Sequence, residues 1–205
     1  SQAINILSKV LDKNIDTLDA YISPRKPFGL DGNFVKSSSF HTNNTHLKEA
    51  VLCYGKAKIV GYVEKVDIHI HASWVDVWKV MTPYANNIGT ELNDDNLNSF
   101  IAAPNSICTE TYILIGADLN LDKNQCEHIC MYLKTKFARF MLSLAKTSQH
   151  ATAKTYRFVP MQDFTSKSDI NWNKSIPEID KQLYAKYGLS DDEITFIEEK
   201  IKPME

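Results

Sequence analysis

The segment "KTKFARFMLSLAK", residues 134–146, most constrains what this chain can become. Placed on a helical wheel at 100° per residue, Leu133, Phe137, Phe140, Met141 and Leu144 share one arc of roughly 100°. A stretch this apolar must bury that side, so a dominant amphipathic helix is predicted over roughly 122–147. Lys136, Arg139, Ser143, Lys146, Thr147 and His150 fall on a neighbouring arc. Two readings of that arc are open: an ordinary solvated face, or a surface that holds a polyanion.

The charge distribution favours the second. No Asp or Glu occurs from His128 to Gln162, while Lys134, Lys136, Arg139, Lys146, Lys154 and Arg157 all lie there. Ten acids follow Met161, so a formal net charge of −2 hides a dipolar chain. A basic patch on a near-neutral protein is an electrostatic footprint for nucleic acid. Thr147, Ser148, Gln149, Thr152 and Thr155 beside it are groups that bind phosphate oxygens.

With 205 residues, the chain is long enough for one sizeable core plus a small subdomain. No apolar run approaches a membrane span and no signal-peptide pattern opens the sequence, which points to a cytoplasmic protein without membrane contact. Cys53, Cys108, Cys126 and Cys130 lack disulfide-framework spacing, as expected in a reducing compartment. Cys126, His128 and Cys130 invite a metal reading, but a tetrahedral site needs further ligands, and buried thiols are the simpler expectation.

Residues 3–22 carry apolar positions at helical spacing, ended by Ser23-Pro24. Residues 51–63 read as two strands or one bent strand around Gly55 and Gly61. Residues 67–81 alternate like a strand, which would put His69 and His71 on the face of Asp67. Residues 99–104 and 106–117 are further strands, and 155–159 a closing strand. Two helices are predicted near 177–187 and 190–202, from Pro177 in a first turn, Gly188 as a cap and the Ser190/Glu193 capping box. Strands flanking one dominant helix, with helices at both ends, indicate an α+β fold with a mixed or antiparallel sheet. The expected divisions are an N-terminal helix over 1–22, a central domain over 23–165 and a helical tail over 166–205.

Catalytic signatures are sparse. There is no glycine-rich phosphate loop and no nucleophile elbow. Glu198-Glu199-Lys200 has the Glu-x-Lys spacing of metal-dependent nucleases, but on a helix alternate residues do not share a face. The last two helices have a helix-turn-helix outline, yet the second is too acidic to approach phosphates. The polar loop 82–98 is rich in Asn, a residue that pairs with the adenine edge and is also a common turn former.

"SPRKPFGLDGNF" (23–34), "NNIGTELNDDNLN" (86–98), "PNSICTETYILIG" (104–116), "LKTKFARFMLSLAKTSQHATAKTYRFVPMQDFT" (133–165) and the segment 175–205 resemble the C-terminal part of bacterial restriction-modification proteins. These are adenine-specific DNA methyltransferases with a TaqI-like C-terminal specificity domain, some fused to nuclease or helicase parts. The likeness covers most of the chain from about residue 22. It implies recognition of a double-stranded DNA target, with catalysis in another domain of the same polypeptide. The Asn-Pro-Pro-Tyr type motif and the S-adenosylmethionine loop of such enzymes do not occur here. The resemblance therefore implies a fragment with no cofactor and no catalytic residue of its own. The parent would use S-adenosylmethionine, with magnesium where it also cleaves. Expected phosphate contacts are Lys136, Arg139, Ser143, Lys146, Thr147, Lys154 and Arg157, with Arg25 and Lys26 in the "RKPFG" loop. Asn86 and Asn87 are the expected base readers. The competing expectation is a docking module that holds a restriction-modification partner through the acidic tail without touching DNA.

Overall fold

A computed structural model describes residues 1–12, 14–85, 98–145 and 150–203. In chain order the regular elements are α1 (Gln2–Val10), β1 (Ala50–Tyr54), β2 (Val60–Glu64), β3 (Lys79–Pro83), β4 (Phe100–Ala102), β5 (Ser106–Cys108), β6 (Tyr112–Ile115), α2 (Lys123–Lys134), α3 (Lys136–Ala145), α4 (Ile176–Lys186) and α5 (Asp191–Lys200). The fold is α+β. One sheet has the order β2-β1-β5, antiparallel then parallel. The other, β4-β3-β6, is antiparallel throughout.

The period of two along a strand explains how the layers stack. Val80, Ile113 and Ile115 belong to the core formed with the helices. Their neighbours Met81 and Leu114 belong to a second core with Val51, Cys53, Val63 and Ile107. The β4-β3-β6 sheet is thus buried on both faces, which is why "YILI" reads as a continuous apolar run. The edge of β6 is covered by residues 21–23. Gly116 donates to the Tyr21 carbonyl at 2.9 Å, and Ser23 Oγ accepts from Leu114 N at 2.8 Å.

The predicted long helix is two helices. Thr135 sits between them in extended geometry, φ −67° and ψ 149°. Its hydroxyl donates to the Tyr132 carbonyl at 2.6 Å and accepts from Ala138 N at 3.1 Å. One β-branched hydroxyl residue therefore ends α2 and starts α3. The tail helices form with the caps expected: Ser190 and Glu193 make a capping box, and Gly188 has φ +62°. Ile179, Leu183, Ile197 and Ile201 join Ile6, Val10, Leu133 and Phe137 in one core: the tail helices pack on α2 and α3, and α1 packs on α5.

Other predicted elements differ too. The strand expected over 106–117 is two strands, β5 and β6, in different sheets. The first helix stops at Val10, and Leu18 is buried instead from a 3-10 turn over Leu18–Tyr21. Residues 67–81 hold 3-10 turns, with β3 beginning at Lys79. Residues 155–159 begin inside a 3-10 turn, Ala153–Tyr156, rather than forming a strand. In each case apolar spacing marked what is buried but not the backbone that buries it. Among the described residues no helix is long and apolar enough to cross a membrane.

Candidate nucleic-acid interface

The basic arc of α3 is not an open face. Arg139 is only 2% exposed, and its guanidinium donates to the carbonyls of Lys202 and Lys134. The Lys136 ammonium pairs with the Glu198 carboxylate, and its side chain is 16% exposed. Ser143 Oγ donates to the Phe140 carbonyl at 2.6 Å, a bond back into its own helix. The cover is the C-terminal hairpin: Phe196 of α5 packs edge-on against Phe140, and Tyr187 stacks on Phe137 at 5.1 Å. The expectation that Lys136 and Arg139 present a phosphate-binding stripe is corrected accordingly. The tail meets this arc with the Glu198 carboxylate and the Lys202 backbone carbonyl. Lys146 and Thr147 lie outside the described residues.

The other candidates occupy a different surface. Arg25 and Lys26 are exposed in a tight turn where Lys26 has φ +55° and Gly29 N donates to the Lys26 carbonyl at 2.9 Å. Both cations face Glu110, at 3.0 Å for Arg25 and 3.9 Å for Lys26. Glu110 also accepts from Gly32 N at 2.9 Å, which clamps the "RKPFGLDG" loop onto the turn between β5 and β6. The Arg25 guanidinium lies 4.5 Å from the centre of the Tyr84 ring. His150 stacks on the same tyrosine at 4.9 Å with an interplanar angle of 11°. Ala151 N donates to the Tyr84 carbonyl at 2.7 Å, and Ala85 bridges His150, so the two segments run side by side.

Lys154 and Arg157 follow on the same stretch and are exposed. Arg157 donates to the Lys154 carbonyl at 2.9 Å and lies 4.7 Å from the Phe158 ring, leaving its charge at the surface. Asn86 and Asn87 lie outside the described residues, although Ala85 directly precedes them. The sequence reading missed Tyr84 and Glu110 as partners of Arg25. The signal for Tyr84 was an aromatic residue at the edge of a polar loop, "TPYANN".

The metal and nuclease candidates separate. His71 lies in a turn with left-handed geometry, φ 50° and ψ 44°. Its Nδ1 bonds the Pro27 carbonyl at 2.6 Å, so that nitrogen carries the proton, and its ring stacks on Trp74. Residues 65–74 are two turns, and His69, His71 and Asp67 do not form a strand face. His128 Nδ1 bonds the Phe164 carbonyl at 2.6 Å. Burial pushes the Cys126 thiol up to about 12 and the Cys130 thiol to about 11, away from the thiolate a metal requires. Among the described residues no group of three His, Cys, Asp or Glu side chains could hold a metal ion. Glu198 is engaged with Lys136 and with the Tyr184 hydroxyl, and Lys200 lies over Phe196. Comparisons with protein-family models, curated proteins and solved structures found no match.

Proposed function

We propose that this chain is a DNA target-recognition domain from a restriction-modification enzyme whose methyl transfer, with S-adenosylmethionine, is carried out by another part of the same polypeptide. The observation that carries the reading is the stack of Arg25, Tyr84 and His150, with Lys26 beside it and Lys154 and Arg157 following His150 in the chain. Cations interleaved with an aromatic ring suit a sugar-phosphate backbone: Tyr84 and Glu110 hold the Arg25 guanidinium in place, while its side chain stays 53% exposed to an incoming oxygen. The sequence resemblance supports the same reading. Glu193 and Glu198 of the acidic tail are paired with Lys9 and Lys136, which leaves less of that tail for a docking partner.

The test is a fluorescence-anisotropy titration of duplex DNA at two salt concentrations. Each phosphate contact contributes about 0.9 to the slope of log affinity against log salt. Replacing Arg25, Lys154 and Arg157 by Ala should lower affinity on every duplex and flatten that slope. An unmodified protein that binds no duplex at low salt would instead favour the docking module.

A further inference from the structure

We infer that the aromatic cleft between the β1–β2 hairpin turn and the start of β4 is a pocket for an unstacked nucleobase. The cleft encloses about 530 Å3 and is lined by Tyr54, Lys58, Ile59, Phe100, Tyr112 and their neighbours. This is the size range of small-molecule sites. Tyr54 meets Phe100 at 4.9 Å with a 58° tilt, and Phe100 meets Tyr112 edge-on at 5.3 Å. Neither pair stacks face to face, so ring surface is not used up within the cluster.

The polar groups are as informative as the rings. The hydroxyls of Tyr54 and Tyr112 have no hydrogen-bond partner among the described residues. Burial raises both phenols above their ordinary pKa, so they remain neutral donors. Among the described residues, Lys58 is the only charged one lining the cleft. It sits on a lip where Ala57 and Lys58 are both left-handed, φ +55° and +60°, in a turn closed by Gly55 N donating to the Ile59 carbonyl at 2.8 Å. Ile59 and Val60 leave 43% and 47% of their surface exposed on that lip.

A nucleotide matches all three features: a flat π-face for the rings, a polar base edge for the phenols and a phosphate for Lys58. An aliphatic chain or an apolar peptide side chain would use the rings alone. A base inside a duplex has both faces stacked, so the occupant comes from a single strand or is extruded. The cleft adjoins the proposed interface through consecutive residues. Pro83 lines the cleft, Tyr84 carries the Arg25 stack, and Tyr84 N donates to the Thr111 carbonyl at 2.9 Å. The inference rests on the DNA-recognition reading for the source of the base, but the pocket is tested separately.

The full chain is titrated with a short oligothymidylate carrying one central 2-aminopurine, and with the same oligonucleotide carrying an abasic site there. Binding should quench the 2-aminopurine, and the abasic strand should bind about fivefold or more weakly. Phe100→Leu keeps apolar bulk but removes the ring, and should abolish the quenching. Lys58→Gln changes only an exposed side chain on the hairpin turn, and should weaken binding about threefold. Equal binding of the abasic strand, or quenching unchanged in both variants, overturns the pocket. A duplex that binds wild type without any single-strand quenching removes the pocket and leaves the DNA reading intact. Quenching without duplex binding does the reverse.

Discussion

Asp180 on α4 caps the helix that starts at Lys136. Its carboxylate accepts from the backbone N–H groups of Lys136 at 3.0 Å and Phe137 at 2.9 Å. A cap usually comes from the residue before the helix, and here Thr135 caps only Ala138. The first turn of α3 is finished by a side chain from the tail.

Removing that cap should be costly. Asp180→Ala leaves two backbone donors without their partner, and should lower stability by about 2–3 kcal/mol in chemical denaturation. Burial outweighs the two hydrogen bonds and raises the Asp180 carboxyl from 3.8 to about 6. The folded state therefore holds this proton more tightly than the unfolded one. That contribution is fully present below about pH 3.8 and is lost as pH rises through about 6. The stability difference between wild type and Asp180→Asn should change across that window and be flat above it.

The two sets of basic residues should separate cleanly. Arg139→Ala deprives the Lys202 and Lys134 carbonyls of a buried donor, and should cost about 3 kcal/mol of stability. Lys136→Gln should leave the salt slope of duplex binding unchanged, because its side chain is only 16% exposed and lies on Glu198, whereas Arg25 stays 53% exposed beside Glu110. Arg25→Ala, Lys154→Ala and Arg157→Ala should each lower the slope by about one with little loss of stability. Equal slopes in the two sets would return the interface to α3.

Lys79 gives a second pH signature with the opposite sign. It is fully buried, and its ammonium donates to the carbonyls of Val75 at 3.2 Å and Val77 at 3.1 Å. Burial lowers it from 10.5 to about 8, against smaller opposing effects of Cys108, Asp76 and Cys126. Between pH 8 and 10.5 the unfolded state binds more protons, so this residue adds stability as pH rises, by up to about 3 kcal/mol. Lys79→Met lacks that gain. Its stability relative to wild type should be highest below pH 8 and should fall toward pH 10.5, measured by urea midpoints across the range.

Two glycines separate backbone strain from lack of space. Gly116 has φ +78°, and an added Cβ would lie 2.5 Å from Leu121 Cδ1. Gly188 has φ +62° with nothing within 4 Å. Gly188→Ala should cost about 1 kcal/mol, the strain of the left-handed region alone. Gly116→Ala should cost about 2 kcal/mol or more, since Leu121 must also move. Thermal melts of the two variants measure the difference.

What the sequence revealed was local. Ser190 with Glu193, Pro177 and Gly188 describe the tail helices because capping acts within one turn. Phe137, Phe140 and Met141 face the core as the helical wheel requires. What covers the other arc depends on Glu198 and Lys202, some sixty residues further along, and no spacing rule connects them to Lys136 and Arg139. The His69/His71 alternation misled for a related reason. Alternation suits a strand only when a neighbour is there to pair with it, and His71 instead bonds the Pro27 carbonyl from a turn. The Arg25–Tyr84–His150 stack joins three distant segments, so Arg25 and His150 stood out singly and Tyr84 not at all.

The short link Thr109–Thr111 has an evolutionary reach. β5 pairs with β1 in one sheet and β6 with β3 in the other, so these three residues stitch the two sheets together. Glu110, at the centre of the stitch, also holds the 25–32 loop. Recombination that replaced one sheet alone would strand half of a pairing and the loop it anchors. The smallest heritable unit that keeps its pairings intact therefore spans both sheets, and new binding preferences in such a chain must arise by point changes on its rim or by replacing both sheets together.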